Sequence, residues 1–253
     1  MLNRYGKLAS WVYDLDKPVG TSFGDVEFYR NRLADCDGPV LEPAVGNGRI
    51  LIPLAQAGLE VEGFDTSAEM LALCAAECAR RGLRAGLSRQ GFADFGYDRR
   101  FAAIILPAGS FQLIGDTATA IAVLRRFHDH LAPGGRLIVD LDPIGDIIQG
   151  GSSQRSWQTE AGDLLVLAEQ RVETRYIDQT TLSHLRYEHW RDGRLLASEL
   201  ELFGLRWWGV AEFAMALRAA GFATPEISGN HQPGRPPREG DAVISFEARR
   251  ARD

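Results

Sequence analysis

Histidine and cysteine are scarce, five and three in 253 residues. The cysteines (Cys36, Cys74 and Cys78) form an odd set without paired spacing, which excludes a disulfide framework. Cys74 and Cys78 lie four apart and share a helix face, but no second pair completes a tetrahedral metal site. They read as small buried apolar residues, and no metal is expected. A basic excess is missing too. With 28 Lys and Arg against 34 Asp and Glu, the net charge is −6. That balance lacks the electrostatic footprint of a phosphate-backbone binder, so no nucleic-acid partner is expected. Arg249, Arg250 and Arg252 read as a solvated tail. There is no run of about 18 apolar residues, and "MLNRYGKLASWVYDLDK" has no apolar core of signal-peptide length. The expectation is a soluble cytoplasmic protein without a membrane partner. Internal repeats and low-complexity tracts are absent as well.

What remains is ordinary globular composition, 45% hydrophobic and 25% charged, enough for one large domain with an insertion. Residues 1–34 read as helical. Residues 38–42 read as a strand running into a glycine turn, with a helix from about Arg49 that tolerates Pro53 in its first turn. "LEVEGFD" (59–65) is a second strand, and "TSAE" (66–69) a capping box with Thr66 as cap. A weaker strand lies near 84–89. "FAAIIL" (101–106) is apolar without alternation, as a strand covered on both faces should be. Asp116 or Thr117 starts a helix to about Leu131, "APGG" (132–135) is a turn and "RLIVDL" (136–141) a fifth strand. Strand–helix alternation over this span predicts a parallel sheet covered on both faces.

After 142 the pattern changes. "PIGDIIQGGSSQRS" reads as a loop. Extended stretches follow near 163–176, 180–190 and 194–208, the last two flanking an Asp192–Gly193 hairpin turn. A helix over 210–222 and strands near 223–228 and 241–248 close the sheet. The predicted domains are an N-terminal helical lid (1–36), a nucleotide-binding core (37–145), an antiparallel lid (146–208) and a closing segment (209–253).

The glycine turn "LEPAVGNGRI" (41–50) decides which ligand the core takes. A dinucleotide fingerprint needs a third glycine three residues after Gly48, and Leu51 stands there. A P-loop needs Gly-Lys-Ser/Thr, and Arg49-Ile50 follow Gly48. A ligand without phosphates fits better, with a tail that needs close backbone approach and a ribose held by an acid at the second strand's end. Asp65 is that acid.

At these residues the sequence resembles the class I S-adenosylmethionine-dependent methyltransferases of the small-molecule branch. "VLEPAVGNGRI" (40–50) looks like the family's acid–x–Gly–x–Gly–x–Gly motif, with Glu42 as its acid, Gly46 and Gly48 as two of its glycines and Ala44 in place of the first. "FDTSAEML" (64–71) looks like the second motif, and "LAPGG" (131–135) like the turn before the fifth strand. The resemblance implies a Rossmann-like, doubly wound, mostly parallel seven-stranded sheet with an N-terminal helical lid and an antiparallel insertion after the fifth strand. It implies S-adenosylmethionine as cofactor, S-adenosylhomocysteine as product and a small-molecule acceptor methylated on N or O. It places Asp65 and Thr66 at the ribose, and Met70, Gly91 and Phe92 at the adenine. The family's usual adenine acid is replaced by Gly91, with Asp94 nearby as a candidate substitute. Tyr5 and Tyr13 belong to a segment that folds over the methionine end, with Leu106 beside it. Pro107, Ser110 and Phe111 line the acceptor side.

Methyl transfer from a sulfonium asks mainly for alignment and exclusion of water, and for a base where the acceptor is protonated. His184 and His189, on opposite faces of one predicted strand, are the candidate bases. A nicotinamide-dependent oxidoreductase and a non-catalytic S-adenosylmethionine-binding protein are the alternatives, and a homodimer is an open option.

Overall fold

The computed structural model describes residues 2–252. A seven-stranded sheet contains β1 (Val40–Pro43), β2 (Val61–Asp65), β3 (Gly86–Arg89), β4 (Phe101–Leu106), β5 (Leu131–Leu141), β10 (Glu226–Gly229) and β11 (Ile244–Arg249). Their spatial order is β10-β11-β5-β4-β1-β2-β3. Strands β1 to β5 are parallel, while β11 runs antiparallel to both β5 and β10. The chain winds outward from β1 to β3, then crosses back to β4 on the other side of β1. That reversal opens a crevice at the carboxyl ends of β1 and β4, where doubly wound sheets bind ligands.

Both faces of the sheet are buried. Ile104 and Leu106 of β4 pack with Val123, Leu124 and Phe127 of α5 (Thr117–His130) and Phe213 and Leu217 of α7 (Val210–Ala219). Ala103 and Ile105 point the other way. They meet Tyr29 of α2 (Asp25–Arg32), Leu51 and Leu54 of α3 (Leu51–Gln56) and Cys74 of α4 (Ala68–Arg80). Successive residues on opposite faces, both covered, explain the unbroken apolar run of β4.

A second, antiparallel sheet follows β5 and the short α6 (Ile144–Ile148). It comprises β6 (Ser152–Gln158), β7 (Asp163–Arg175), β8 (Thr180–Arg191) and β9 (Arg194–Arg206), in that order. Leu165, Leu167, Leu185 and Tyr187 bury one face against Leu8, Ala9 and Val12 of α1 (Lys7–Asp16). Asp192 and Gly193 both adopt positive φ, 50° and 72°, as their hairpin turn requires.

Several elements differ from their sequence-based prediction. The N-terminal stretch read as helical holds, among the described residues, two helices, α1 and α2, separated by turns and preceded by an extended segment. The stretch 143–156, read as a loop, contains α6 and most of β6. Strand β6 carries almost no apolar residue and is held by its backbone ladder to β7. The APGG turn lies inside β5 as an irregularity, between the pairs Phe101–Leu131 and Ala103–Arg136. The cap of α4 is Ser67, not Thr66. The Ser67 hydroxyl accepts from the Met70 amide at 3.1 Å, and Glu69 is therefore one position short of a capping-box partner.

Long-range polar contacts fix the N-terminal helices to the core. Arg49 and Asp25, each 5% exposed at the side chain, form a buried bidentate pair, and Arg49 also donates to the Thr21 carbonyl. Asn47 donates to the Asp14 carboxylate and the Lys17 carbonyl. The first turn of α1 is capped from outside, since the Glu199 carboxylate of β9 accepts from the Leu8 and Ala9 amides. His231, in the loop between β10 and β11, packs on Phe28 and bonds Asp140, which also accepts from Ser245. This cluster pins the loop between β10 and β11 to β5. Among the described residues, no helix is long and apolar enough to cross a membrane.

Removing one partner of a buried ion pair leaves the other charge uncompensated. Asp25→Ala is therefore expected to cost about 3–5 kcal/mol in denaturant unfolding. A loss below 1 kcal/mol would show that Arg49 re-pairs or reaches solvent.

Candidate functional site

A cavity of about 420 Å³ opens at the carboxyl ends of β1 and β4. The core supplies Ala44, Gly46, Phe64, Asp65, Thr66, Met70, Gln90, Gly91 and Phe92 on one side, and Ala108, Gly109, Ser110, Leu113 and Asp142 on the other. The N-terminal segment adds Leu2, Asn3, Tyr5, Tyr13 and Lys17, and β9 adds Phe203 and Leu205. Its size and mixed lining suit a small molecule.

The floor is the glycine turn. Ala44 sits at φ 55°, a left-handed conformation that costs an alanine about 1–2 kcal/mol, in place of the motif's glycine. Gly46, at φ 56°, has open space where a Cβ would stand, so its backbone is bare to the cavity. Its amide donates to Asp65 Oδ2 at 2.9 Å, while Asp65 Oδ1 accepts from the Ser67 amide at 2.9 Å. Burial raises the Asp65 carboxyl above its ordinary value, and the amides of Ser67 and Gly46 pull it back. Each carboxylate oxygen keeps a second lone pair for a ligand.

Phe64, Met70 and Phe92 form an apolar slot at one end. Phe92 meets Phe64 edge to face at 6.2 Å, and Met70 is 2% exposed. Beside it the Gly91 amide donates to Asp94 Oδ1 at 3.0 Å. That oxygen fills the space a side chain on Gly91 would enter, so the Asp94 carboxylate is already engaged with the backbone.

The roof is the N-terminal segment. Tyr5 and Tyr13 meet edge to face at 6.0 Å. The Tyr5 carbonyl accepts from the Ser67 hydroxyl at 2.8 Å, and its amide donates to Glu201 of β9. Burial raises the Tyr5 phenol well above its ordinary value, with Tyr13 adding to the shift. Asn3 exchanges two bonds with Gly204 of β9. Lys17 is the cation in the lining. Burial lowers its ammonium, and Asp16 and Asp142 partly offset this.

Ten residues proposed from sequence gather here: Tyr5, Tyr13, Ala44, Gly46, Asp65, Thr66, Met70, Gly91, Phe92 and Ser110. Others lie behind the wall. Leu106 and Phe111 are fully buried in the core, and Pro107 precedes the lining loop. Gly48 supports the turn from beneath, where a Cβ would stand 2.6 Å from the Cys74 sulfur. Glu42 is buried under the turn with one carboxylate oxygen unpartnered.

Neither candidate histidine is at the cavity. His184 pairs with Leu202, on the face of β9 opposite Phe203 and Leu205. His189 contacts the Trp11 ring at 5.0 Å and bonds Asp163 at 2.6 Å, in a clasp shared with Arg191. Its role is to tie the hairpin ends together. Lys17, Gln90, Gly109 and Asp142 also line the cavity; Gln90, Gly109 and Asp142 each adjoin a stretch read from sequence, but nothing in the local pattern says which of their side chains turn into the cavity.

Residues 40–135 match the family model "Methyltransferase domain". The match identifies this segment as a methyltransferase domain. The chain is 35% identical over 101 residues to a dTDP-3-amino-3,6-dideoxy-alpha-D-glucopyranose N,N-dimethyltransferase of Streptomyces fradiae, covering 40% of this chain and 38% of that protein. Its fold matches an S-adenosylmethionine-dependent methyltransferase from Clostridium acetobutylicum, with TM-score 0.77 and 16% identity over 96% of this chain and 97% of that one. It also matches the sugar N-methyltransferase KedS8 from Streptoalloteichus, with TM-score 0.75 and 20% identity over 95% and 91% of the two chains. The methyltransferase domain thus carries both added features, the roof and the antiparallel sheet.

Burial holds the Glu42 carboxyl well above its ordinary value, so the folded protein favours its neutral form, against the pull of Arg49. Stability therefore falls as pH rises from the ordinary carboxyl value towards the raised one, because the unfolded chain releases a proton that the folded chain keeps. Glu42→Gln, which cannot ionise, should gain thermal stability over the parent as pH rises from 5 to 8. A melting-temperature difference that stays constant across that range would count against this.

Proposed function

We propose that the protein transfers a methyl group from S-adenosylmethionine to a nitrogen atom of a small-molecule acceptor. The observation that carries the reading is the cavity at the switch point of a methyltransferase domain, with bare Gly46 backbone, a carboxylate at the end of β2 and an apolar slot beyond it. The donor set fits the cofactor part by part. The free lone pairs of Asp65 suit a ribose diol. Phe64, Met70 and Phe92 suit the faces of an adenine, with the Phe92 amide toward its edge. Gly46, Lys17, Tyr5 and Tyr13 suit a methionine tail, whose carboxylate calls for a cation. Residues 1–36 and 146–208 act as the lid.

The bound sulfonium supplies a methyl carbon that needs no further activation. The protein's own task is to orient the acceptor and keep water out. Ser110, Leu113, Phe203 and Leu205 extend the cavity beyond the cofactor surfaces, which leaves an acceptor its own room and favours catalysis over simple cofactor binding. The choice of nitrogen is supported by the activities named for the Streptomyces fradiae protein and KedS8. A nicotinamide dinucleotide is disfavoured by Leu51, fully buried where the fingerprint needs glycine.

Calorimetry should show binding of S-adenosylmethionine and S-adenosylhomocysteine and none of NAD. Asp65→Ala should weaken cofactor affinity tenfold or more, in line with the ~1.5–3 kcal/mol of a hydrogen bond to a charged group. Binding of NAD alone would overturn the reading, and unchanged affinity in the variant would remove Asp65 from the ribose.

A further inference from the structure

The cavity holds two carboxylates, and they are differently occupied. Both oxygens of Asp65 accept backbone amides. Asp142, the residue after β5, lines the opposite wall beside Gly109 and Ser110. Among the described residues, its carboxylate makes no hydrogen bond and no ion pair, although its backbone is held on both sides. The buried Gln112 side chain accepts from the Asp142 amide at 2.8 Å and donates to its carbonyl at 3.2 Å. The carboxylate leans over the loop after β4. Its Oδ2 lies 2.8 Å from where a Cβ on Gly109 would stand, and Gly109 adopts φ +67°. The fold thus spends a fully buried glutamine and a glycine on presenting one unpartnered acid to the side of the cavity away from Asp65.

We propose that Asp142 binds the acceptor amine and takes its proton, a role that rests on the methyl-transfer reading above. The acceptor arrives as an ammonium and donates a charge-assisted hydrogen bond to Asp142. One N–H bond breaks, its electron pair stays on nitrogen, and the proton forms an O–H bond on Asp142. The nitrogen lone pair then bonds the methyl carbon as the C–S bond breaks, with that pair kept by sulfur. The positive charge passes from sulfur to the methylated nitrogen, and the protonated Asp142 returns its proton to solvent as product leaves. A simple alkylammonium such as lysine titrates near ~10.4, and a desolvating cavity lowers it while raising a carboxyl. An alcohol offers no charge for Asp142 to hold, so the same wall discriminates against hydroxyl acceptors. Burial raises the Asp142 carboxyl, Lys17 of α1 pulls it down, and Asp140 of β5 and Asp146 of α6 push it up.

The test uses the full chain saturated with S-adenosylhomocysteine, with glucosamine and glucose as probes in calorimetry. The parent should bind glucosamine at least tenfold more tightly than glucose, and the preference should fade as pH falls through the Asp142 carboxyl. Asp142→Asn should abolish the preference while S-adenosylhomocysteine affinity stays within threefold, and Asp142→Glu should retain it. Thermal unfolding of both variants shows whether the fold is kept, and the Glu variant carries the test if the Asn variant is unstable. Equal binding of the two sugars by the parent, or a preference that survives Asp142→Asn, overturns the assignment. A tenfold loss of S-adenosylhomocysteine affinity in the Asn variant overturns it too, by moving Asp142 to the methionine end. Failure of S-adenosylhomocysteine to bind the parent is a separate result, which sinks the methyl-transfer reading and the assignment with it.

Discussion

The pair of bonds from Asp65 to the amides of Gly46 and Ser67 is the constraint on which the site depends. One carboxylate sets the height of the glycine turn against the end of β2 and orients the start of α4. Because α4 begins at that point, Ser67 is free to cap it and to donate to the Tyr5 carbonyl. Floor, side wall and roof are therefore registered to one side chain. The left-handed strain at Ala44 is tolerated because the turn is held on both flanks, by this bond and by the packing of Cys74 under Gly48.

The roof depends on polar contacts more than on area. Asn47 and Arg49, both within the turn, reach α1 and the start of α2. From above, Glu199 and Glu201 of β9 hold the Leu8 and Tyr5 amides, and Asn3 pairs with Gly204. The first residues are clamped between two sheets that have little other reason to meet. The cavity over the glycine turn thereby gains a second wall.

Much of this was legible in the sequence, and the gaps have physical causes. β4 could be read because both its faces are covered. Asp65 could be read because a strand, an acid and a helix start occur in fixed order around it. β6 was invisible, since an edge strand with polar side chains is specified by its neighbour's backbone and by no pattern of its own. Thr66 was mistaken for the cap because Thr and Ser both cap helices, and only the first helical hydrogen bond separates them here. The histidines attracted attention for their chemistry, yet β8 directs one to the outer face and commits the other to Asp163. Lys17 and Asp142 stand 125 residues apart, and only the closed fold places them in one cavity.

Strands β6 to β9 form one uninterrupted stretch of chain, entered after β5 and left before α7. The proposed acceptor chamber is thus partitioned along the sequence. Its shape above comes from a single exchangeable segment, while Asp142 lies on the core side of the junction. A lineage could replace the whole antiparallel sheet and change which molecules fit, yet inherit the same charge beneath them. Breadth of acceptor shape and constancy of acceptor charge can then evolve separately.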